Sequence, residues 1–190
     1  MHVLNVGVRL APPRNATLRN VVLCARFKQL IAEKAATCIS PTSNTYVIQF
    51  PAGLNCTFGK SKADFYGNFT VTETIQEPLE LIVITNRCNL NMRTCETFNK
   101  LTLTRICSYI NDDKGIFASF LKSLEPDFRC PIKPGVYFFK NSTIDLSIFT
   151  MFPLEGYRWQ SSIKLISKSA SKKEIYCLNS QASMIWVRKP

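Results

Sequence analysis

The sequence is short of histidine, of acid and of long apolar runs, and each shortage removes a class of function. His2 is the single histidine in 190 residues. A Ser-His or Cys-His nucleophilic site needs a positioned imidazole near neutral pH, and a histidine metal cluster needs several. No G-x-S-x-G elbow, Walker loop or G-x-G-x-x-G phosphate cradle occurs. No C-x2-C pair occurs either, which argues against zinc. No stretch approaches the roughly 20 consecutive apolar residues of a membrane-spanning helix; the best run, 79–85, has the length of a strand. Of the 13 acidic residues, Asp112 with Asp113 and Glu125 with Asp127 are close in sequence. Adjacent acids at a helix start serve as caps that interact well with the helix dipole. The chain therefore reads as a binding protein rather than an enzyme, with no cofactor and no metal.

What is present points outward from the cell. Eight cysteines, an even number spread from Cys24 to Cys177, read as a disulfide framework of the kind that persists in oxidising compartments. Four N-x-S/T sequons agree, at Asn15, Asn55, Asn68 and Asn141. Asn55 is the weakest acceptor because Cys56 occupies its middle position, which leaves Asn15, Asn68 and Asn141 as the expected glycosylation sites. Residues 1–14 lack a clean charged region, apolar stretch and cleavage site, so the chain reads as a mature start or as one whose amino-terminus lies upstream. The net charge of +11 favours anionic partners. In a secreted protein that means an anionic membrane or glycan surface and not nucleic acid.

The length fits one domain, and 46% apolar residues are enough for a core. Residues 20–36 place Leu23, Phe27, Leu30 and Ile31 at helical spacing, which predicts a short helix. From Tyr46 onward the grammar is that of strands. Tyr46 to Phe50 is an apolar run closed by Pro51 and Gly53. Phe69, Val71 and Ile75 alternate with polar residues, as do Leu101 and Leu103. The run 79–85 is apolar on both faces and predicts a central strand. Asp112 or Asp113 is expected to cap one helix carrying the stripe Ile116, Phe117, Phe120, Leu121 and Leu124, which Pro126 ends. Strands are expected again over Val136 to Phe139 and Thr143 to Phe149. Tyr157, Trp159, Ile163 and Leu165 then alternate with Arg158, Gln160, Ser162 and Lys164. Residues 168–173 suit a hairpin tip, and Ile175 to Val187 the last strand. Seven or so strands at such intervals predict an all-β sandwich. Its inward residues, Phe69, Val71, Tyr137, Phe139, Tyr157, Trp159 and Ile163, either line a ligand cavity between splayed sheets or fill a dry core; patterning does not separate the two.

The cysteine segments carry a resemblance. Cys88-Asn-Leu-Asn-Met-Arg-Thr-Cys95 is followed by an apolar stretch and Cys107. Then come Cys130-Pro-Ile-Lys-Pro-Gly-Val-Tyr, Pro153-Leu-Glu-Gly-Tyr-Arg-Trp and Cys177 in the last strand. Over residues 38–188 this resembles the ML lipid-recognition superfamily, in its ganglioside-activator branch, and most of all its arthropod secreted and chemosensory members. The resemblance implies an immunoglobulin-like β-sandwich opened into an apolar cup, one short helix, and four disulfides from eight cysteines. It implies Cys88–Cys95, Cys107–Cys130 and an early cysteine on Cys177, with Cys38 fitting best and Cys24–Cys56 remaining. The domain then spans 38–190, with 1–37 an extension that the resemblance does not reach. The activator's extra cysteine pair before the Cys-Pro motif is replaced here by Pro126-Asp-Phe-Arg129, so the cup's rim is expected to differ.

The function this implies is a secreted carrier of a lipid or other apolar small molecule. Phe69, Tyr137, Phe139, Tyr157, Trp159 and Trp186 would line its cup. Phe117, Phe120 and Leu121, beside Lys114 and Lys122, would form either a membrane-dipping rim or a helix packed on the sandwich. A receptor or a partner enzyme fits such a carrier, and the Lys168, Lys172 and Lys173 tip would steer it to anionic membranes. The alternative is a cationic interaction protein (a toxin, immune or receptor-binding factor) that acts through its basic surface.

Overall fold

The computed structural model describes residues 26–38, 46–59, 61–115, 117–168 and 173–188. The chain is all-β with two short helices. In order come β1 (Arg26–Thr37), β2 (Ile48–Gln49), β3 (Asn55–Gly59), β4 (Lys62–Tyr66), β5 (Asn68–Val71), β6 (Leu79–Cys88) and β7 (Cys95–Thr104). Then follow α1 (Ile106–Ile110), α2 (Ala118–Lys122), β8 (Leu124–Glu125), β9 (Gly135–Phe139), β10 (Ser142–Asp145), a 3-10 turn (Ser147–Met151), β11 (Arg158–Ser167) and β12 (Glu174–Arg188). One layer is a long five-stranded sheet in the order β1-β12-β11-β6-β7. A four-stranded sheet, β2-β5-β9-β8, packs on it through the shared core, and a three-stranded one, β10-β4-β3, adjoins the four-stranded sheet. Every named pairing is antiparallel.

The core forms where the alternating strands aim their apolar sets at one another. Leu79 and Ile175 from the long sheet meet Phe69, Val71, Leu124 and Tyr137 from the four-stranded sheet and Val47 just before it, with Ile75, Ile106, Phe128 and Ile132 completing the cluster. Phe69 stacks on Tyr137 with centroids 5.4 Å apart and meets Phe128 edge-on at 5.7 Å. Such ring pairs add about 0.5–1.5 kcal/mol each beyond area burial. Gly67 holds φ +86° between β4 and β5, a conformation open to glycine at little cost, and there the chain passes from one small sheet to the other.

Three corrections to the sequence reading follow. Residues 26–36 are not helical. β1 pairs with β12 from Arg26↔Arg188 to Thr37↔Leu178, so residues 26–37 belong to the sheet and not to an extension. The stripe Phe27, Leu30 and Ile31 lies ahead of the bulge between Ala32 and Lys34, in unbroken register with β12; in a strand Phe27 and Ile31 fall on one face and Leu30 on the other, and so short an apolar set fits either period. There are two short helices rather than one, and neither Asp112 nor Asp113 caps α2: Phe117 is its N-cap, while Asp112 Oδ1 accepts the Lys114 amide at 2.9 Å in a turn upstream. The strand expected over 143–149 ends at Asp145, whose carboxylate accepts the Ser147 amide at 2.8 Å and starts the 3-10 turn.

Three disulfides are formed among the described residues: Cys38–Cys177, Cys88–Cys95 and Cys107–Cys130. They are the three pairs that the resemblance implies. Cys88 and Cys95 stand directly opposite in the β6–β7 ladder. Cys56 has no partner among the described residues, and Cys24 lies outside them.

Candidate functional site

The site is built from the inward face of the long sheet. Register alone defines its rows. Leu103, Leu81, Leu165 and Tyr176 stand side by side across β7, β6, β11 and β12; one step along, so do Leu101, Val83, Ile163 and Leu178. The first row joins the core through Leu81, Leu103 and Leu165. The second row lies beyond the described core cluster. Val83, Ile163 and Leu178 are only half-buried, and Leu101 is 46% exposed. At about 4.8 Å between strands, this row makes an apolar strip roughly 14 Å across. The next row, Asn99, Thr85, Ser161 and Ser180, is polar and neutral.

An aromatic string runs out from the first of these rows. It leaves the long sheet at Tyr176, whose ring lies 5.5 Å from Phe50. Phe50 leads to Phe139 at 6.5 Å, Phe139 to Phe65 at 5.8 Å, and Phe65 to Phe120 at 5.2 Å. Phe50, Phe65, Phe120 and Phe139 are all half-buried. Burial pushes the Tyr176 phenol above its ordinary range, and Thr37 shares a hydrogen bond with it at 3.4 Å.

The expected lining residues separate into three places. Phe69, Val71 and Tyr137 are buried in the core, with 4%, 1% and 3% exposure; the Tyr137 hydroxyl donates to the Lys133 carbonyl at 2.8 Å. Phe120, Phe139 and Ile163 stand at the strip and the string. Tyr157, Trp159 and Trp186 lie towards the far end of the long sheet. There the Trp159 indole donates to the Leu154 carbonyl at 2.8 Å, with Phe98 edge-on at 5.0 Å and Tyr157 at 6.2 Å. The Arg87 guanidinium lies 4.8 Å from the Tyr157 ring and pairs with Glu96. These groups line a cleft of about 270 Å³ beside Cys88–Cys95. A second cleft, of about 10 Å³ between the helices and Phe128, has room for about one water. Sequence reasoning missed Phe50 and Phe65 in the string, and Val83, Leu101 and Leu178, whose shared row exists only once the register is known.

Phe117 alone of the expected helical rim is well exposed; Phe120 packs on Phe65 and Phe139, and Leu121 on the core. Acids surround it. Asp113 binds Arg129 at 2.6 Å and Lys122 at 3.2 Å, and these partners, Arg129 first, hold its carboxyl below the usual range. Lys168 is tied to Glu80 at 2.5 Å and Lys173 to Glu73 at 2.6 Å. Ile116, Lys172 and Asn15 lie outside the described residues; Asn68 and Asn141 are exposed.

All thirteen Asp and Glu side chains have partners. Nine join the ion pairs. Asp64, Glu77, Asp112 and Asp145 accept hydrogen bonds from hydroxyl or amide groups. The uncompensated charge is therefore cationic. Among the described residues there is no group of three or more His, Cys, Asp or Glu placed to hold a metal, and no helix is long and apolar enough to cross a membrane. No protein-family model matches the chain, and no curated protein matches it.

Proposed function

We propose that the protein is an extracellular carrier that binds a lipid or other apolar ligand between the Leu101–Val83–Ile163–Leu178 strip and the Phe50–Phe139–Phe65–Phe120 string. The observation that carries this reading is an apolar row on the inward face of a sheet that the core does not cover. Val83 and Ile163 sit on interior strands, where aliphatic side chains are ordinarily buried. Full burial of one such side chain is worth about 1.5–3 kcal/mol, so a ligand that covers the row recovers what folding leaves unused. The neutral polar row beside it suits a ligand with an uncharged polar end. Three disulfides support an oxidising compartment, and their pairing supports the ML resemblance.

The test is native mass spectrometry of protein secreted from eukaryotic cells, with organic extraction of whatever accompanies it, followed by uptake of a fluorescent fatty acid. A stoichiometric apolar companion, or saturable uptake that Ile163→Arg abolishes without loss of fold, is the expected result. An empty protein that takes up no probe overturns the reading.

A further inference from the structure

Exposed apolar side chains gather at one end of the long sheet. There β6 ends and β7 begins around the 89–94 turn, β11 begins, and β1 and β12 run on together past them to the Arg26↔Arg188 pair. The 147–156 segment reaches the same end through a bridge between Glu155 and Met184. Met151 is 82% exposed, Leu90 64%, Trp186 53% and Phe152 50%. Lys28 draws three parts of this end together. Its ammonium donates to the Phe152 carbonyl at 3.2 Å, pairs with Glu155 at 2.6 Å, and lies 5.4 Å from the centre of the Trp186 ring. Isolated exposed apolar residues are ordinary on a protein surface, whereas a cluster of them marks an interaction surface.

Charge indicates what it meets. Arg26 and Arg188 stand directly opposite each other across β1 and β12, a repulsive cross-strand arrangement. Arg93 stands in the 89–94 turn beside Leu90. Among the described residues none of the three has a carboxylate partner within ion-pair distance. The acids at this end, Glu33, Glu96 and Glu155, are held by Arg158, Arg87 and Lys28. The helical rim differs: it exposes Phe117 but carries Asp112, Asp113 and Asp127 beside its cations.

We propose that the Met151–Phe152–Trp186 end, flanked by Arg26, Arg93 and Arg188, docks on an anionic lipid bilayer. Aromatic and thioether side chains enter the headgroup boundary while the guanidinium groups meet lipid phosphates and carboxylates. This rests on the carrier reading only for its purpose, bringing the apolar strip to a source of ligand; the docking surface stands on its own geometry. It places the membrane contact at the end of the long sheet and not at Phe117.

The full chain is floated with vesicles of phosphatidylcholine, with and without phosphatidylserine, and its tryptophan emission is read with brominated acyl chains as quencher. Trp159 is 8% exposed and Trp186 53%, so the response belongs to Trp186. Binding to the phosphatidylserine vesicles, with a blue shift and quenching that Trp186→Phe removes, is expected. The Met151→Ser/Phe152→Ser variant should float weakly, and each of Arg26→Gln and Arg188→Gln should cost about fivefold in partitioning. These positions are exposed, and unfolding curves matching the unsubstituted chain establish that the variants fold. Failure to float, unchanged Trp186 emission, or a Met151→Ser/Phe152→Ser variant that binds fully overturns the proposal. So does retention on heparin without vesicle binding, which assigns the cations to a glycan. Fatty-acid uptake without vesicles is measured in parallel: if it fails while flotation holds, the carrier reading falls and the docking surface stands.

Discussion

Glu77 shows how much one side chain can organise here. One carboxylate oxygen accepts the Leu79 amide at 2.5 Å and the other the Cys107 amide at 2.8 Å. The same group thus starts β6 and satisfies an amide in the first turn of α1, which has no side-chain cap of its own. Glu77→Ala leaves both amides unpaired and is expected to destabilise the fold by about 1–3 kcal/mol in denaturant titration; an unchanged midpoint refutes the assignment. Asp113 sets a pH dependence. Its carboxyl is lowered in the folded state by Arg129 and then Lys122. A lowered folded value means that the contribution is present above the unfolded pKa, about 3.9, and is lost as pH falls through the folded one. The thermal midpoint should therefore decline as pH drops below about 4. Asp113→Asn should lower it at neutral pH and flatten that decline, with a small effect because the group is exposed.

At the scale of elements, the strands were legible wherever a clean period of two met one buried face. Trp159, Ile163 and Leu165 alternate with polar neighbours and do lie on one face of β11; Phe69 and Val71 do the same in β5. β1 was illegible because its few apolar residues, Phe27, Leu30 and Ile31, fit a helical stripe as well as the two faces of a strand, and its partner β12 lies about 150 residues away. The start of α2 was misread because Asp112 satisfies a turn, and short polar side chains compete for local amides in either setting. Half of the candidate site could not be read at all. Phe69 and Tyr137 show the same alternation as Ile163, yet they are buried while Ile163 is half-open, since coverage depends on where the shorter sheets end. That difference is testable. Phe69→Ala should cost about 3–5 kcal/mol of stability, whereas Val83→Arg should leave the unfolding midpoint nearly unchanged and abolish ligand uptake. If Val83→Arg unfolds the protein, the strip is core and not site.

For the molecule as a whole, disulfides and charge act on different problems. Cys38–Cys177 spans 139 residues and anchors the end of edge strand β1 to β12. Cys88–Cys95 closes the β6–β7 turn, and Cys107–Cys130 ties α1 to the segment before β9, where Asn111 also brackets the Cys130 backbone. These links lie around the two layers rather than across the strip, so they hold the frame while leaving the apolar face open. Charge is likewise kept off the strip, whose neighbouring row is neutral, while Arg26, Arg93 and Arg188, without a carboxylate partner among the described residues, stand at the Arg26–Arg188 end. Salt should therefore separate the two activities. Raising ionic strength shortens the screening length from about 10 Å at 0.1 M to about 3 Å at 1 M, so vesicle binding should fall steeply between these conditions. Uptake of an uncharged acyl probe, such as a fluorescent diacylglycerol, should stay level or strengthen slightly in solution, because apolar burial carries no charge to screen. Uptake that fell in step with vesicle binding would place charged groups in the ligand contact, and the strip would no longer account for it.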